Sequence, residues 1–298
     1  MVQDNERNVF DQRWLEYELL ETYVKPHPHQ TTMPILILCC TRRHSIHVVR
    51  QTLTELLTSA SVDSTSHVLR VNGEIEISTV YLRAGYTPTD YPTPAHYDLR
   101  YLFETSKAIQ CPSIQLQLAG GKKVQEELTK PGVLEHFLHD FSVSEISALR
   151  DSWMEMWALN EGGDAGVTRA LEESASLVLK PQREGGGNNV YKEAIPPFLA
   201  NLPSSEREAW IAMKLIATPQ GLGNYLVRAG GGHEGAVRTE VISELGIFGW
   251  SLFGYERSGS LKVEEKEVGW LVRTKGKDSN EGGVAAGFSV LDSIVLID

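Results

Sequence analysis

Apolar residues recur at helical spacing in several parts of the first hundred residues, with short apolar runs between them. Residues 12–23 place Leu and Tyr among acidic residues, which predicts an amphipathic helix. Residues 45–59 predict a strand, SIHVV, that runs into a second amphipathic helix. This part of the chain therefore alternates helical and extended segments.

A hairpin signal and a further helix complete the pattern of the first part. Residues 68–71 and 75–81 are apolar-rich segments on either side of Asn72-Gly73, a pair that favours the left-handed backbone of a tight turn. A helix is expected over residues 95–108. This order of elements predicts an α/β lobe that ends near residue 118.

The second part of the chain predicts a different set of elements. Residues 119–123, AGGKK, open a helix, and a helical stretch is expected over residues 134–159. Strands are expected at residues 176–179, 209–216, 237–248 and 264–273, followed by a loop of small residues and a terminal element over 281–291.

Composition and charge exclude several classes of protein. The 298 residues are 41% hydrophobic and 22% charged, which is typical of a globular protein with a core. The formal net charge of −11, with no basic stripe, argues against a general nucleic-acid binder. The longest apolar run, residues 33–40, is too short to span a membrane, and the N-terminus has no signal-peptide pattern. Three cysteines are too few for a disulfide framework, so we expect a cytoplasmic protein, with Cys111 as a small core residue.

The run KPQREGGGNN, from Lys180 to Asn189, carries the clearest chemical signal. It follows a predicted buried strand, and its three glycines let the backbone approach a phosphate and point N–H groups at it. Lys180 adds a positive charge, and Glu184 is a hard oxygen ligand suited to Mg²⁺. We therefore expect a site for ATP phosphates and magnesium, although the pattern is not a Walker A loop. A flexible linker is the competing interpretation, but linkers lack charges placed beside a strand.

Several longer stretches in fixed order carry a resemblance to a known family. They are ERNVFDQR (6–13), YLRAGYTP (81–88), CPSIQLQLAGGKKVQEEL (111–128), VISELGIFG (241–249), WLVRTK (270–275) and EGGVAAGFSVLDS (281–293). With these stretches and the Gly-rich run, the sequence resembles eukaryotic-type glutathione synthetase, an ATP-grasp ligase. The resemblance covers nearly the whole chain apart from about residues 24–43.

The resemblance implies a two-step ligation. ATP phosphorylates the cysteinyl carboxylate of γ-glutamylcysteine, and the amine of glycine then displaces phosphate from the acyl phosphate to give glutathione. Phosphorylation removes the charge that repels the amine and supplies a good leaving group, so the protein mainly positions the reactants and neutralises charge. The resemblance also implies a magnesium cofactor and the homodimer usual for the full-length family.

The resemblance further implies a nucleotide site, in which Glu184 binds Mg²⁺ and Glu244 accepts hydrogen bonds from the ribose hydroxyls. Tyr191 and residues 213–216 border the adenine. The implied ATP-binding residues are Lys122, Lys180, Pro181, Gln182, Arg183, Glu184, Gly185, Gly186, Gly187, Asn188, Asn189, Tyr191, Met213, Lys214, Leu215, Ile216, Glu244, Lys275 and Glu281.

The implied substrate site combines three segments of the chain. Arg83 and Tyr86 lie on a turn at a strand end and bind the carboxylate and backbone of γ-glutamylcysteine, and Arg273 is the catalytic cation beside the acyl phosphate. The implied substrate-binding residues are Glu6, Arg7, Asn8, Gln12, Arg83, Tyr86, Arg273, Val284 and Ala285. Without the resemblance, Arg273 and Lys275 would be interpreted as a solvated strand face, and residues 6–12 as a polar chain end.

The sequence departs from the family in three respects. It has no counterpart of the N-terminal region that supplies two further magnesium ligands, so we expect an isolated chain to bind ATP but to ligate poorly. Residues 24–43 are expected to be an insertion. Ala84 and Lys214 stand where the family usually has an acid.

These considerations predict an α/β protein with a Rossmann-like substrate-binding lobe at residues 1–118 and an ATP-grasp domain at 119–298, incomplete at its N-terminal portion. The predicted function is glutathione synthetase. The alternative is a catalytically silent nucleotide-binding fragment of the family. ATP, γ-glutamylcysteine and glycine are the expected partners, with no nucleic acid and no membrane.

Overall fold

A computed structural model describes most of the chain and divides it into two compact units. The described residues are 1–3, 6, 9–22, 46–160, 162–182, 187–221, 223–226, 236–256, 258–280, 282–284 and 287–293. Unit 1 comprises Met1–Leu128 with Gln182–Glu184, and unit 2 comprises Thr129–Pro181 with Gly185–Asp298. The predicted functional division after residue 118 stays a prediction. None of the described helices has the length and apolar character needed to cross a bilayer.

Unit 1 mixes helices with two small sheets. Helix α2 begins at a capping box in which Thr52 and Glu55 satisfy each other's backbone N–H groups. The helices are α1 (Val9–Thr22), α2 (Leu53–Ser59), α3 (Pro94–Glu104), α4 (Ile114–Ala119) and α5 (Lys122–Thr129). The strands are β1 (Ala60–Val62), β2 (Leu69–Val71) and β3 (Ile75–Ile77) in one antiparallel sheet, and β4 (Thr79–Tyr81) and β5 (Ile109–Cys111) in a parallel pair.

The core of unit 1 packs α2 and α3 against these strands. Phe103 of α3 and Leu69 of β2 are each 1% exposed, so the apolar faces predicted from the sequence meet in one cluster. The predicted hairpin is confirmed, since Asn72 and Gly73 have φ values of 53° and 73°. Cys111 is exposed, and its assignment to the core is wrong.

Unit 2 contains two four-stranded sheets. Its helices are α6 (Val133–Phe137), α7 (Val143–Asp151), α8 (Ala165–Glu172) and α9 (Ile195–Asn201). The first sheet has the order β6 (Met156–Ala158), β9 (Trp210–Lys214), β7 (Leu177–Pro181), β8 (Val190–Tyr191) and is antiparallel throughout. The second has the order β10 (Gly223–Leu226), β11 (Val237–Tyr255), β12 (Leu261–Gly276), β13 (Ser289–Asp292).

Three predicted elements are wrong in type or extent. Residues 46–50 form no strand. The strand expected at 75–81 is split into two strands. β3 pairs with β2 as far as Ile77, and β4 pairs with β5 from Thr79 onward. The helical stretch expected over 134–159 breaks into α6 and α7 and ends in β6, where pairing with β9 overrides local helical periodicity.

Candidate functional site

One face of the first sheet of unit 2 brings together three residues predicted to bind ATP. Val178 of β7 pairs with Tyr191 of β8 on one side and with Met213 of β9 on the other, so the three side chains form a row. Lys180 follows Val178 by two positions and therefore lies on the same face. The other face packs on α8 and α9 through Leu177, Leu179 and Ala212, each 0% exposed. The buried face thus fixes the position of the candidate face.

Tyr191 also connects the end of the Gly-rich run to a distant loop. Asn189 Nδ2 donates to the Tyr191 hydroxyl at 3.2 Å, and this hydroxyl donates to the carbonyl of Asn280 at 3.3 Å. Residues 189–194 and Asn280 line an open recess of ≈ 670 Å³ beside it. Sequence reasoning did not assign Asn280, although it directly precedes the small-residue loop.

A second group of predicted residues lies on β11 and β12. Glu244 and Arg273 are directly opposite each other, and their side chains form an ion pair of 2.5 Å. Two positions along β12, Lys275 lies opposite Ile242. Lys277 continues the row and pairs with Glu240 at 2.9 Å, and its hydrogen bond holds the pKa of Glu240 below its ordinary value. Arg273 and Lys275 on β12 and Lys277 directly after it therefore form a row of three cations.

Lys275 differs from its two neighbours in this row. Within the described residues its ammonium group forms no ion pair, whereas Arg273 and Lys277 each have a carboxylate. An ammonium group at this position can donate charge-assisted hydrogen bonds to an anion. The predicted role of Glu244 at a ribose and of Arg273 at an acyl phosphate requires their ion pair to open or to share its hydrogen bonds.

The inward side of β12 anchors the row of cations. Thr274 is 1% exposed, and its hydroxyl donates to Asp292 at 2.7 Å, which lowers the pKa of Asp292. The small-residue loop approaches the same place, because a Cβ on Gly282 would lie 3.9 Å from Glu244 Oε2. Val284 lies in this loop, where its carbonyl accepts from Gly287 N at 2.9 Å.

In unit 1, a hydrogen bond joins the N-terminal end of α5 to Gln182, which belongs to the same unit. Gln182 Oε1 accepts a hydrogen bond from Lys123 N at 2.7 Å. Lys122 is the first residue of α5, so two residues predicted to bind ATP, Lys122 and Gln182, lie close together. Pro181 is buried at the end of β7, and Gly187, Asn188, Leu215 and Ile216 are also described.

The predicted substrate turn is built around Gly85. Its φ of +84° favours glycine, and an added Cβ would lie 2.8 Å from the Tyr91 hydroxyl. The Gly85 carbonyl accepts from Tyr91 at 2.8 Å and from Gln117 at 3.0 Å, and burial raises the pKa of Tyr91. Arg83 and Tyr86 are exposed on this turn, while Ala84, the departure from the family, is 4% exposed.

The segment near the N-terminus that carries predicted substrate residues reaches the turn at Gly85 only in part. Gln3 Nε2 donates to the Tyr86 hydroxyl at 2.9 Å, which brings that segment to the turn. Gln12, by contrast, is 6% exposed, and its Oε1 accepts from Arg50 at 2.6 Å. Gln12 therefore already has a protein partner, and neither Gln3 nor Arg50 was assigned from the sequence. Glu6 is half-buried.

Some predicted residues cannot be placed. The substrate residues Arg7, Asn8 and Ala285, the magnesium ligand Glu184, its neighbours Arg183, Gly185 and Gly186, and Glu281 lie outside the described residues, as does the insertion expected at 24–43. Among the residues that are described, no three His, Cys, Asp or Glu side chains come together as a metal site.

Comparison with known proteins identifies the class of protein to which this arrangement belongs. The family model for the ATP-binding domain of eukaryotic glutathione synthase matches residues 12–296. The chain therefore belongs to the eukaryotic glutathione synthase family, and the resemblance inferred from the sequence is confirmed.

Relatives across plants and animals agree with this assignment. The chain is 39% identical to "Glutathione synthetase, chloroplastic" of Arabidopsis thaliana, covering 100% of the chain and 49% of the relative. It is 39% identical to "Glutathione synthetase" of Homo sapiens, covering 98% of the chain and 55% of the relative. The chain thus spans about half the length of the curated relatives that it matches.

A solved structure agrees at the level of the fold. A glutathione synthetase-like effector from Globodera pallida, in its apo form, matches with a TM-score of 0.55 and 23% identity, covering 96% of this chain and 59% of that one. At this level of identity, the match supports the mixed α/β fold alone.

Proposed function

We propose that this chain carries the nucleotide site and part of the substrate site of a glutathione synthetase. The reaction is the ATP-dependent ligation of γ-glutamylcysteine and glycine, giving glutathione, ADP and phosphate. The observation that carries the proposal is the row of Tyr191, Val178 and Met213 with Lys180 on one sheet face, within a chain that belongs to this family. The proposed architecture is a Rossmann-like lobe followed by an ATP-grasp domain.

ATP is proposed to bind along this face with its phosphates toward the lysines. Met213 and Tyr191 supply apolar surface for the base, while Lys180 and Lys275 bind phosphate oxygens. The Gly-rich run adds backbone N–H groups, and Lys122 and Gln182 complete the proposed set of contacts. Glu244 accepts hydrogen bonds from ribose hydroxyls, which compete with its pairing to Arg273.

Arg273 has the proposed catalytic role. When a phosphoryl group moves from ATP to the cysteinyl carboxylate, negative charge develops on oxygens between the two, and a guanidinium group can bind two of them at once. The acyl phosphate then loses phosphate as the glycine nitrogen forms the peptide bond. Val284 in the small-residue loop helps to exclude water, because acyl phosphates hydrolyse.

The remaining proposals concern the metal, the assembly and the location. Mg²⁺ would neutralise phosphate charge, and Glu184 is the carboxylate proposed to hold it. The described residues contain no cluster of metal-ligating side chains. The second candidate function is a nucleotide-binding fragment that does not ligate, and the observation behind it is that the chain spans about half the length of its curated relatives. A homodimer and a cytoplasmic location are also proposed, although the Arabidopsis relative is named chloroplastic.

The release of ADP tests the proposal and separates the two functions. ADP is measured with ATP, Mg²⁺, γ-glutamylcysteine and glycine, and each substrate is then left out in turn. Turnover that requires both substrates, and that falls about 100-fold or more in Arg273→Met, supports the ligase. Lys107→Met, in unit 1, is the control. ATP binding without turnover supports the fragment, and absence of ATP binding contradicts both.

A further inference from the structure

The side chain of Lys214 lies behind the proposed base-binding face rather than on it. Side chains alternate along β9, so Lys214 shares its face with Ala212 and with Leu177, its partner on β7. That face is covered by α8 and α9. Met213 lies on the opposite face, in the row with Val178 and Tyr191. Lys214 therefore points away from the proposed adenine. It stands where the family usually has an acid.

The Lys214 ammonium group closes a ring of four charges. Its Nζ is 2.8 Å from Glu155 Oε2 and 3.3 Å from Glu173 Oε2. Arg169 completes the ring, with Nε 2.8 Å from Glu173 Oε1 and Nη2 paired with Glu155 Oε1. Each carboxylate binds one cation through each oxygen, so the four charges balance and no net charge is left beside β9.

The ring is anchored to the core of unit 2. The Arg169 guanidinium lies over the ring of Trp157, 3.9 Å from its centroid. Trp157 is 4% exposed, and its indole N–H donates to the Gly166 carbonyl at 3.0 Å. Because Arg169 is held on one side by a buried aromatic ring, the two carboxylates that it binds are held as well.

Backbone hydrogen bonds tie the same residues to the end of β9. Lys214 N donates to the Glu155 carbonyl at 2.9 Å, so Lys214 and Glu155 are joined through both backbone and side chains. Leu215 N donates to the Ser176 carbonyl at 2.9 Å. The side chains in the ring are 32% to 49% exposed, so we expect the ion pairs to contribute little to global stability. Their main effect is local.

We propose that Lys214 is a positioning residue that holds the carboxyl end of β9 through the ring of Glu155, Glu173 and Arg169. The backbone of residues 213–216 is thereby held in the conformation that recognises a nucleotide base. The proposal rests on the proposed ATP site. Lys214 contacts no ligand itself, and base recognition at this edge comes from backbone groups and Met213. The ring affects the binding of the base and leaves the binding of the phosphates unchanged.

Amide hydrogen exchange tests the proposal without any ligand. In Lys214→Met, exchange of the amides of residues 213–216 accelerates roughly three- to tenfold, since one ion-pair network on a partly exposed surface is lost. Lys214→Arg restores slow exchange, because the guanidinium can bind both carboxylates. Lys262→Met, which breaks the exposed pair with Glu264, is the matched control and leaves these amides unchanged. Unchanged exchange in Lys214→Met overturns the proposal.

Binding of two ligands then separates positioning from direct contact. Lys214→Met weakens ATP binding roughly three- to tenfold and leaves inorganic tripolyphosphate binding unchanged, and Glu155→Gln has the same effect without adding to that of Lys214→Met. Equal weakening of both ligands means that the lysine contacts phosphate, and this result overturns the proposal. A wild-type protein that binds neither ligand refutes the proposed ATP site, while the exchange experiment still decides the role of the ring.

Discussion

The two sheets of unit 2 contain similar apolar strands that are buried to very different degrees. Leu179 on β7 is 0% exposed because α8 and α9 cover its face, whereas Leu252 on β11 is 45% exposed. Both strands carry leucine and β-branched residues, and β11 adds aromatic residues, which are also typical of strands. The apolar pattern therefore predicts that a segment is extended, but the elements that pack on it decide how much it stabilises the fold.

The distal half of the β11–β12 hairpin shows this difference most clearly. Ile247 and Phe253 lie on one face of β11, and Trp250 and Leu252 on the other, and all four are at least 45% exposed. We call this part the ribbon (residues 245–271). The strand register shifts between Phe248 and Gly249, where Val268 of β12 has no partner on β11. A two-stranded hairpin with so little apolar burial contributes far less to stability than the covered sheet.

Matched leucine truncations give the largest expected contrast between the two sheets. Leu179→Ala leaves a cavity in the core and is expected to lower the free energy of unfolding by about 2–5 kcal/mol. Leu252→Ala removes the same atoms from the exposed ribbon and is expected to change it by less than about 0.5 kcal/mol. Urea unfolding followed by circular dichroism measures both. Similar losses in the two variants would mean that the ribbon is packed as tightly as the core sheet.

Matched glycine substitutions sharpen the contrast through backbone contacts. A Cβ on Gly166 of α8 would lie 2.3 Å from the Ala158 carbonyl oxygen, so α8 must shift, and Gly166→Ala is expected to destabilise by about 1–3 kcal/mol. Gly254 has no atom within 4 Å of the corresponding position. Gly254→Ala is therefore expected to be neutral or slightly stabilising. Thermal unfolding compares them, and equal midpoints would contradict the close packing of α8 on β6.

The contrast also explains how much of the fold followed from the sequence. The turn at Asn72-Gly73 was predicted correctly because its chemistry is local, and the strand expected at 176–179 and observed as β7 because it is apolar and is followed by glycines. Strand β6 was missed, since three residues become a strand only through pairing with β9. The exposure of the ribbon has no local signal either, because burial depends on residues distant in sequence.

The candidate site divides in a similar way. The residue types of the Gly-rich run identified Lys180, the resemblance to the family implied Tyr191 and Met213, and the structure brings these three to one face. The direction of the Lys214 side chain and the pairing of Glu244 with Arg273 follow from strand register, which the sequence did not specify. Arg50, which binds Gln12, has no motif that distinguishes it from a surface arginine.

Acid unfolding provides a smaller test, on the charged ring behind the covered sheet. Hydrogen bonds from Lys214, and to a smaller extent from Arg169, hold the pKa of Glu155 below its ordinary value. The pKa of Glu173 is also lowered, mainly by the hydrogen bond from Arg169 and less by that from Lys214. A carboxyl whose folded pKa is lowered stabilises the fold above its unfolded pKa, and this stabilisation is lost as the pH falls through the folded pKa. Wild type should therefore lose more stability than Lys214→Met below about pH 4.5.

The urea midpoint at a series of pH values measures this difference. The variant keeps every carboxylate and also Arg169, so subtraction of the two curves isolates the contribution of Lys214 to the ring. Lys262→Met, on the ribbon, controls for the loss of one positive charge. Parallel curves for wild type and Lys214→Met would show that the pairing of Lys214 with the two carboxylates has no linkage to pH.

The smallest expected effect concerns dye binding at the ribbon. The side chains of Ile247 and Trp250 border an open recess of ≈ 540 Å³, and exposed apolar patches of this kind bind hydrophobic dyes. Trp250→Glu is expected to lower the fluorescence of the dye ANS in the folded protein by a modest fraction. Val143→Glu, at an exposed position of α7, is the control. No decrease in Trp250→Glu would mean that the ribbon is covered in solution.

Binding of ATP to the covered sheet, measured by isothermal titration calorimetry, tests the proposed nucleotide site most directly. We predict one ATP site per chain, and affinity at least about tenfold weaker in Lys180→Met, since a hydrogen bond to a charged group is lost. Lys266→Met, on the ribbon, should bind ATP as wild type does. No binding by the wild type, or equal affinity in wild type and Lys180→Met, would contradict the placement of the nucleotide on the face that carries Tyr191, Met213 and Lys180.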